Sequence, residues 1–173
     1  FRNIDLNIHV RSLIEQFREK GMEKLVSLTI DKKSFWKIFE RISNKSLLMR
    51  FVSGLKLKQL VSFITDAHCF NSIASNLSDE DLHNQFLNEG IEKLSSLVTD
   101  AHSFNSMASI ISNKSYQNRL ITALETEKLV SFVTDVDSFN GMASNLLECP
   151  SHDHFRNKGI EKLSFLVTYA QSF

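Results

Sequence analysis

The side chains in this sequence that could hold a metal or attack a substrate are few and scattered. Cys149, His152, Asp153 and His154 lie in one short stretch and have the ligand types of a zinc site. No other stretch adds ligands at a matching spacing, so these residues read as a polar helix start. No Ser–His–Asp or Cys–His arrangement is supported by more than composition. The five glycines are scattered singly, so no phosphate-cradling loop can form. No catalytic residue, metal or cofactor is expected, and the chain reads as a binder rather than an enzyme.

A different chemistry is offered by hydrogen-bonding side chains at one recurring place. Four stretches read Asp66-Ala67-His68-Cys69-Phe70, Asp100-Ala101-His102-Ser103-Phe104, Asp135-Val136-Asp137-Ser138-Phe139 and Tyr169-Ala170-Gln171-Ser172-Phe173. An earlier one reads Asp31-Lys32-Lys33-Ser34-Phe35. Within this near-constant frame one position runs Lys33, His68, His102, Asp137, Gln171. One changing polar residue per unit is the form of a modular reader, in which each side chain addresses one element of an extended polymer. An exposed loop under no constraint would drift in the same way.

The elements that must position these residues come from an internal repeat. The phrase Glu92-Lys93-Leu94-Ser95-Ser96-Leu97-Val98 returns as Glu127-Lys128-Leu129-Val130-Ser131-Phe132-Val133 and as Glu161-Lys162-Leu163-Ser164-Phe165-Leu166-Val167. Leu25, Leu60, Leu94, Leu129 and Leu163 mark the period, in steps of 35, 34, 35 and 34. Phe35, Phe70, Phe104, Phe139 and Phe173 follow ten residues after each leucine, and stepping back 34 from Phe35 lands on Phe1. A longer period of 69 joins Gly21, Gly90 and Gly159, and joins Ser43-Asn44-Lys45-Ser46 to Ser112-Asn113-Lys114-Ser115. The array thus alternates two flavours of one unit.

Within a unit, Ile91, Leu94, Leu97 and Val98 form the apolar stripe of a short helix a. Gly90 before it suits the left-handed end of the preceding helix. A polar loop follows, and Ser103 is the expected N-cap of helix b, whose stripe is Phe104, Met107, Ala108 and Ile111. Tyr116, Leu120, Ile121 and Leu124 make either a third short helix or a bent continuation of b, with a break or kink at Pro150 in the fourth unit. Asn44, Asn76 and Asn113, formal glycosylation acceptors, read as capping and turn residues.

Composition agrees. Five glycines and one proline in 173 residues are too few turn-formers for a β-sandwich or an α/β sheet. The expected fold is all-α: an α-solenoid of tandem 34–35-residue helical repeats forming a superhelix. Residues 1–173 are expected to form one array, with a partial unit over 1–20 and units beginning near 21, 55, 90, 125 and 159, the last truncated. The array reads as a piece of a longer one. No apolar run approaches the ~20 residues of a membrane span. Two cysteines suit a reducing compartment, and Phe1-Arg2-Asn3-Ile4-Asp5 is no signal peptide. The expected location is intracellular, cytoplasmic or delivered to a host nucleus.

The unit length, the helix opening after Gly90-Ile91 and Gly159-Ile160, the variable residue between helices and Pro150 together resemble the repeats of transcription activator-like effectors. That family wraps duplex DNA as a right-handed superhelix, one loop residue meeting one base. The resemblance implies base reading by Lys33, His68, His102, Asp137 and Gln171. It implies loop shaping by Lys32, Ala67, Ala101, Val136 and Ala170. Phosphate would lie near the helix starts at Ser34, Ser103, Ser138, Asn71, Asn105 and Asn140. Where that family carries Gly-Gly after the variable residue, this chain carries Ser103-Phe104, and the family's Lys-Gln pair is absent. The units also resemble, more distantly, Pumilio repeats, which bind single-stranded RNA, but no aromatic is placed for base stacking.

Twenty basic and twenty acidic residues exclude a grossly basic nucleic-acid clamp. Lys24, Lys93, Lys128 and Lys162 recur in register, each preceded by a neutralising glutamate. Arg18, Lys20, Arg50, Arg119, Arg156 and Lys158 form a second basic line near unit ends. Double-stranded DNA is the first expected partner; a protein bound by the solenoid is the alternative. Neither a membrane nor a small-molecule substrate is expected.

Overall fold

The computed structural model describes residues 19–170. Phe1, Gln171, Phe173 and the side chain of Ala170 lie outside that description, as does most of the partial unit over 1–20. Every regular element among the described residues is a helix. They are α1 (described over 19–27), α2 (Lys32–Phe39), α3 (Lys45–Ser53), α4 (Leu57–Ser62), α5 (Ala67–Ala74) and α6 (Glu80–Leu97). Then come α7 (Ala101–Ile110), α8 (Lys114–Leu124), α9 (Thr126–Ser131), α10 (Val136–Leu146) and α11 (His152–Ala170). None is long and apolar enough to cross a membrane.

Each unit uses three helices. Helix b appears as α2, α5, α7 and α10. The stretch after it is a separate helix c, not a continuation of b. In α3 and α8 its start is fixed by Asn44 and Asn113, whose side-chain oxygens accept from Leu47 N at 3.0 Å and Ser115 N at 2.9 Å. Pro150 falls in the turn between α10 and α11, where its missing N–H costs no helical bond.

The longer period has a physical basis. In α6 and α11, helix c runs unbroken into the next helix a, so the expected boundaries near 90 and 159 cut through continuous helices. Between α3 and α4, and between α8 and α9, the same junction is broken. Gly90 and Gly159 therefore lie inside helices, and neither has a positive φ, which corrects the expected left-handed role of Gly90. They serve close approach instead. A Cβ on Gly90 would sit 2.9 Å from Phe70 Cε2, and one on Gly159 would sit 2.5 Å from Phe139 Cε2. The missing side chain lets the landmark Phe of the preceding helix b lie against the long helix. At this phase the broken junctions carry Lys56 and Glu125, both exposed. The second break turns at Glu125, with φ 58° and ψ 148°, a region costly for any residue with a Cβ.

Like packs on like. Helix α7 lies between α5 and α10, α6 lies against α8 and α4, and α9 lies against α11. The landmarks fill these contacts: Phe35, Phe70, Phe104, Leu60, Leu94 and Leu129 are wholly buried. Phe139 is only half-buried, against expectation, because no helix b follows α10 among the described residues. Side chains also tie neighbouring units together. Lys162 Nζ donates to Val130 O at 3.0 Å and Ser131 O at 2.7 Å, and Lys128 Nζ to Ser95 O at 3.3 Å. These lysines bind carbonyls in the last turn of the preceding helix a, where Ser95 O and Val130 O also accept a backbone N–H from Val98 and Val133. Two lysines of the repeating stripe are thus committed to packing between units.

Candidate ligand-reading edge

The frame around the variable position is a helix start. Asp31, Asp66, Asp100 and Asp135 are the N-caps of α2, α5, α7 and α10. Each carboxylate accepts the N–H of the third helical residue: Ser34 at 2.7 Å, Cys69 at 2.8 Å, Ser103 at 2.7 Å and Ser138 at 2.7 Å. The serines reciprocate, their Oγ accepting from the N–H of Asp31, Asp100 and Asp135 at 3.0, 3.1 and 3.0 Å. Ser103 is therefore the third residue of its helix, not the N-cap. The helix begins earlier than expected because Asp100 caps it and Ser103 completes the capping box from the third position. The Asp-x-x-Ser spacing was the sequence signal for this.

Lys33, His68, His102 and Asp137 consequently occupy the second residue of a helix rather than the loop between helices, and all four are exposed. Gln171 lies outside the described residues. Of their preceding neighbours, Ala67 and Ala101 are buried, while Lys32 and Val136 are exposed. Lys32 Nζ reaches the next unit and donates to Thr65 Oγ1 at 2.7 Å. Helix α7 packs against both α5 and α10.

Five of the six expected phosphate-facing groups are occupied. Ser34, Ser103 and Ser138 spend both N–H and hydroxyl on their own aspartates, the hydroxyls donating to Asp31 O, Asp100 O and Asp135 O at 2.8, 2.9 and 2.8 Å. Asn71 Nδ2 donates to Ile110 O at 2.9 Å, and Asn105 Oδ1 accepts from Asn145 Nδ2 at 3.0 Å. Both asparagines therefore join neighbouring b helices. Asn140 is exposed. A helix N-terminus attracts anions through its free N–H groups and dipole; here a carboxylate already fills that place four times.

The same bonds set the titration of these aspartates. The backbone N–H and then the hydroxyl of Ser34, Ser103 and Ser138 hold Asp31, Asp100 and Asp135 below the ordinary aspartate value of 3.8. Partial burial pushes Asp66 up, but the Cys69 amide and thiol, the Thr65 hydroxyl and Lys32 outweigh it, so Asp66 is also lowered. A carboxyl lowered on folding stabilises the fold above its unfolded pKa, and that stability is lost as pH falls through the folded value. The urea midpoint should therefore drop as pH falls below about 4. Replacing the four aspartates by asparagine keeps the caps and should flatten that drop; an equally steep drop in this variant would refute the assignment.

The cysteine–histidine stretch does not converge. Cys149 turns inward, Sγ donating to Asn118 Oδ1 at 3.0 Å, and burial raises its thiol pKa. His152 pairs with Asp153 at 3.2 Å, whereas His154 faces Glu127 at 3.6 Å. Among the described residues no three His, Cys, Asp or Glu side chains are grouped to hold a metal ion. No protein-family model, no curated protein sequence and no solved structure matches the chain.

Proposed function

We propose that the chain is an α-solenoid scaffold whose superhelical stack of units binds an extended protein partner. The observation that carries this reading is the row of N-cap carboxylates at Asp31, Asp66, Asp100 and Asp135. With Asp137 beside them and only Lys32 and Lys33 opposing, the edge that displays the variable residues carries net negative charge. Duplex DNA draws most of its affinity from phosphate contacts to cations and free N–H groups, and this edge offers few of either.

Sequence-specific binding of double-stranded DNA is the second reading. It is favoured by the exposure of Lys33, His68, His102 and Asp137 at equivalent places on four helices. On that reading Asp137, an acceptor only, prefers a cytosine amino group, and Lys33, a donor only, prefers guanine. A mobility-shift titration on random duplex DNA at roughly 50 and 200 mM salt separates the two. The scaffold reading expects no shift at either salt concentration. A complex that weakens steeply with salt, and whose preference at one base pair changes in Asp137→His, would replace it with the DNA reading.

A further inference from the structure

Helix α2 differs in charge from the three later copies of helix b. Lys32, Lys33, Lys37 and, just past the helix end, Arg41 are all exposed. No lysine or arginine stands at an equivalent place in the later copies: Lys33 matches His68, His102 and Asp137, and Lys37 matches Ser72, Ser106 and Gly141. From Asp31 to Arg41 four cations face two carboxylates, Asp31 and Glu40. The matching stretches from Asp66, Asp100 and Asp135 carry carboxylates and no lysine or arginine. Lys32 is bonded to Thr65, whereas Lys33, Lys37 and Arg41 form no ion pair or side-chain hydrogen bond among the described residues. Lys33 and Lys37 are four apart on one side of the helix, and Arg41 follows four further on.

Apolar side chains stand beside these charges. Ile30, just before the N-cap Asp31, is 83% exposed, and Leu28, just past α1, is 51% exposed. An apolar residue at the place of Ile30 commonly packs on the fourth residue of the helix, here Phe35, yet Ile30 stays in solvent. The later units carry Thr65, Thr99 and Thr134 there, whose hydroxyls donate to the capping aspartates at 3.2, 3.3 and 3.2 Å. Ile30 can make no such bond, so its side chain serves neither the cap nor the core.

We infer that this corner docks on an anionic lipid bilayer, the four cations lying over the headgroups while Ile30 and Leu28 enter the boundary with the acyl chains. A bilayer surface supplies both halves of the match, negative charge and an adjoining apolar layer. Duplex nucleic acid supplies phosphates for the cations but no apolar bed beside them. Attachment to a surface needs no spanning helix, and no helix among the described residues is long and apolar enough to span. The inference departs from the expectation that no membrane is involved. It is independent of the scaffold reading, since α5, α7 and α10 carry none of these cations.

The test is co-sedimentation of the chain with vesicles of phosphatidylcholine alone and of equimolar phosphatidylcholine and phosphatidylserine. Binding should be confined to the vesicles that contain phosphatidylserine. A Lys33→Gln/Lys37→Gln/Arg41→Gln variant should bind them about a hundredfold more weakly, since each basic residue near such a surface contributes about a factor of five. Ile30→Thr, which installs the residue of the later units, should weaken binding several-fold, and Arg119→Gln should leave it unchanged. All these side chains are exposed or half-buried, and circular dichroism confirms that each variant is folded. Binding to neither vesicle, equal binding to both, or undiminished binding by the triple variant overturns the inference. If Ile30→Thr binds as the unchanged chain does, and the triple variant abolishes a mobility shift of random duplex DNA, the cations belong to nucleic acid and the lipid assignment falls.

Discussion

Phe104→Ala should lower the free energy of unfolding by about 3–5 kcal/mol, the range for deleting a buried ring and leaving a cavity. Phe104 is wholly buried on α7, and α7 has a helix b on both sides, α5 and α10. Neither neighbour can close on the void without leaving its other contacts. The equivalent change Phe139→Ala should cost distinctly less, since that ring is half-buried and stacks on Phe155 at 5.7 Å. Urea unfolding followed by far-ultraviolet circular dichroism measures both. Equal losses would mean that burial by the following unit does not govern the energetics.

Gly90→Ala should destabilise the protein by up to about 2 kcal/mol, although alanine in a helix normally gains about 1 kcal/mol over glycine. The new methyl would meet Phe70 Cε2 at 2.9 Å and Ile64 Cδ1 at 3.1 Å. Both side chains are buried, and Phe70 is stacked on Phe86 at 5.5 Å, so neither has room to withdraw. Overpacking typically costs about 1–3 kcal/mol, and two buried neighbours with no room put this site toward the upper end, above the helical gain. Gly159→Ala presents a nominally closer contact, 2.5 Å to Phe139 Cε2, yet Phe139 is half-buried and can swing outward. It should be the milder of the two. Thermal unfolding of the pair checks the order, and a stabilised Gly90→Ala would show that the helices are not pressed together at this point.

The repeat made much of the fold legible. Landmark leucines and phenylalanines announced the core because burial at a fixed phase can be read from periodicity alone, and Phe35, Phe70 and Phe104 are where that phase puts them. What periodicity conceals is continuity. Whether helix c runs into the next helix a depends on how closely two helices approach, and a single glycine records this without stating which way it acts. Gly90 reads in the sequence as the left-handed end of a helix, yet it serves a close contact with a ring twenty residues earlier. The variable position was legible as exposed, but its frame was misread by a few residues, since Asp100 and Ser103 can each cap a helix and only the backbone decides between them.

The alternation of fused and broken junctions gives the chain a mechanical grain. At 1.5 Å per residue, the 18 residues of α6 form a strut about 27 Å long. On either side of it lie the short breaks at Gly54–Lys56 and at Glu125. Helix c and the following helix a therefore share one axis at α6 and α11, whereas at Gly54–Lys56 and Glu125 the chain turns between them, so backbone direction is carried through one junction and reset at the next.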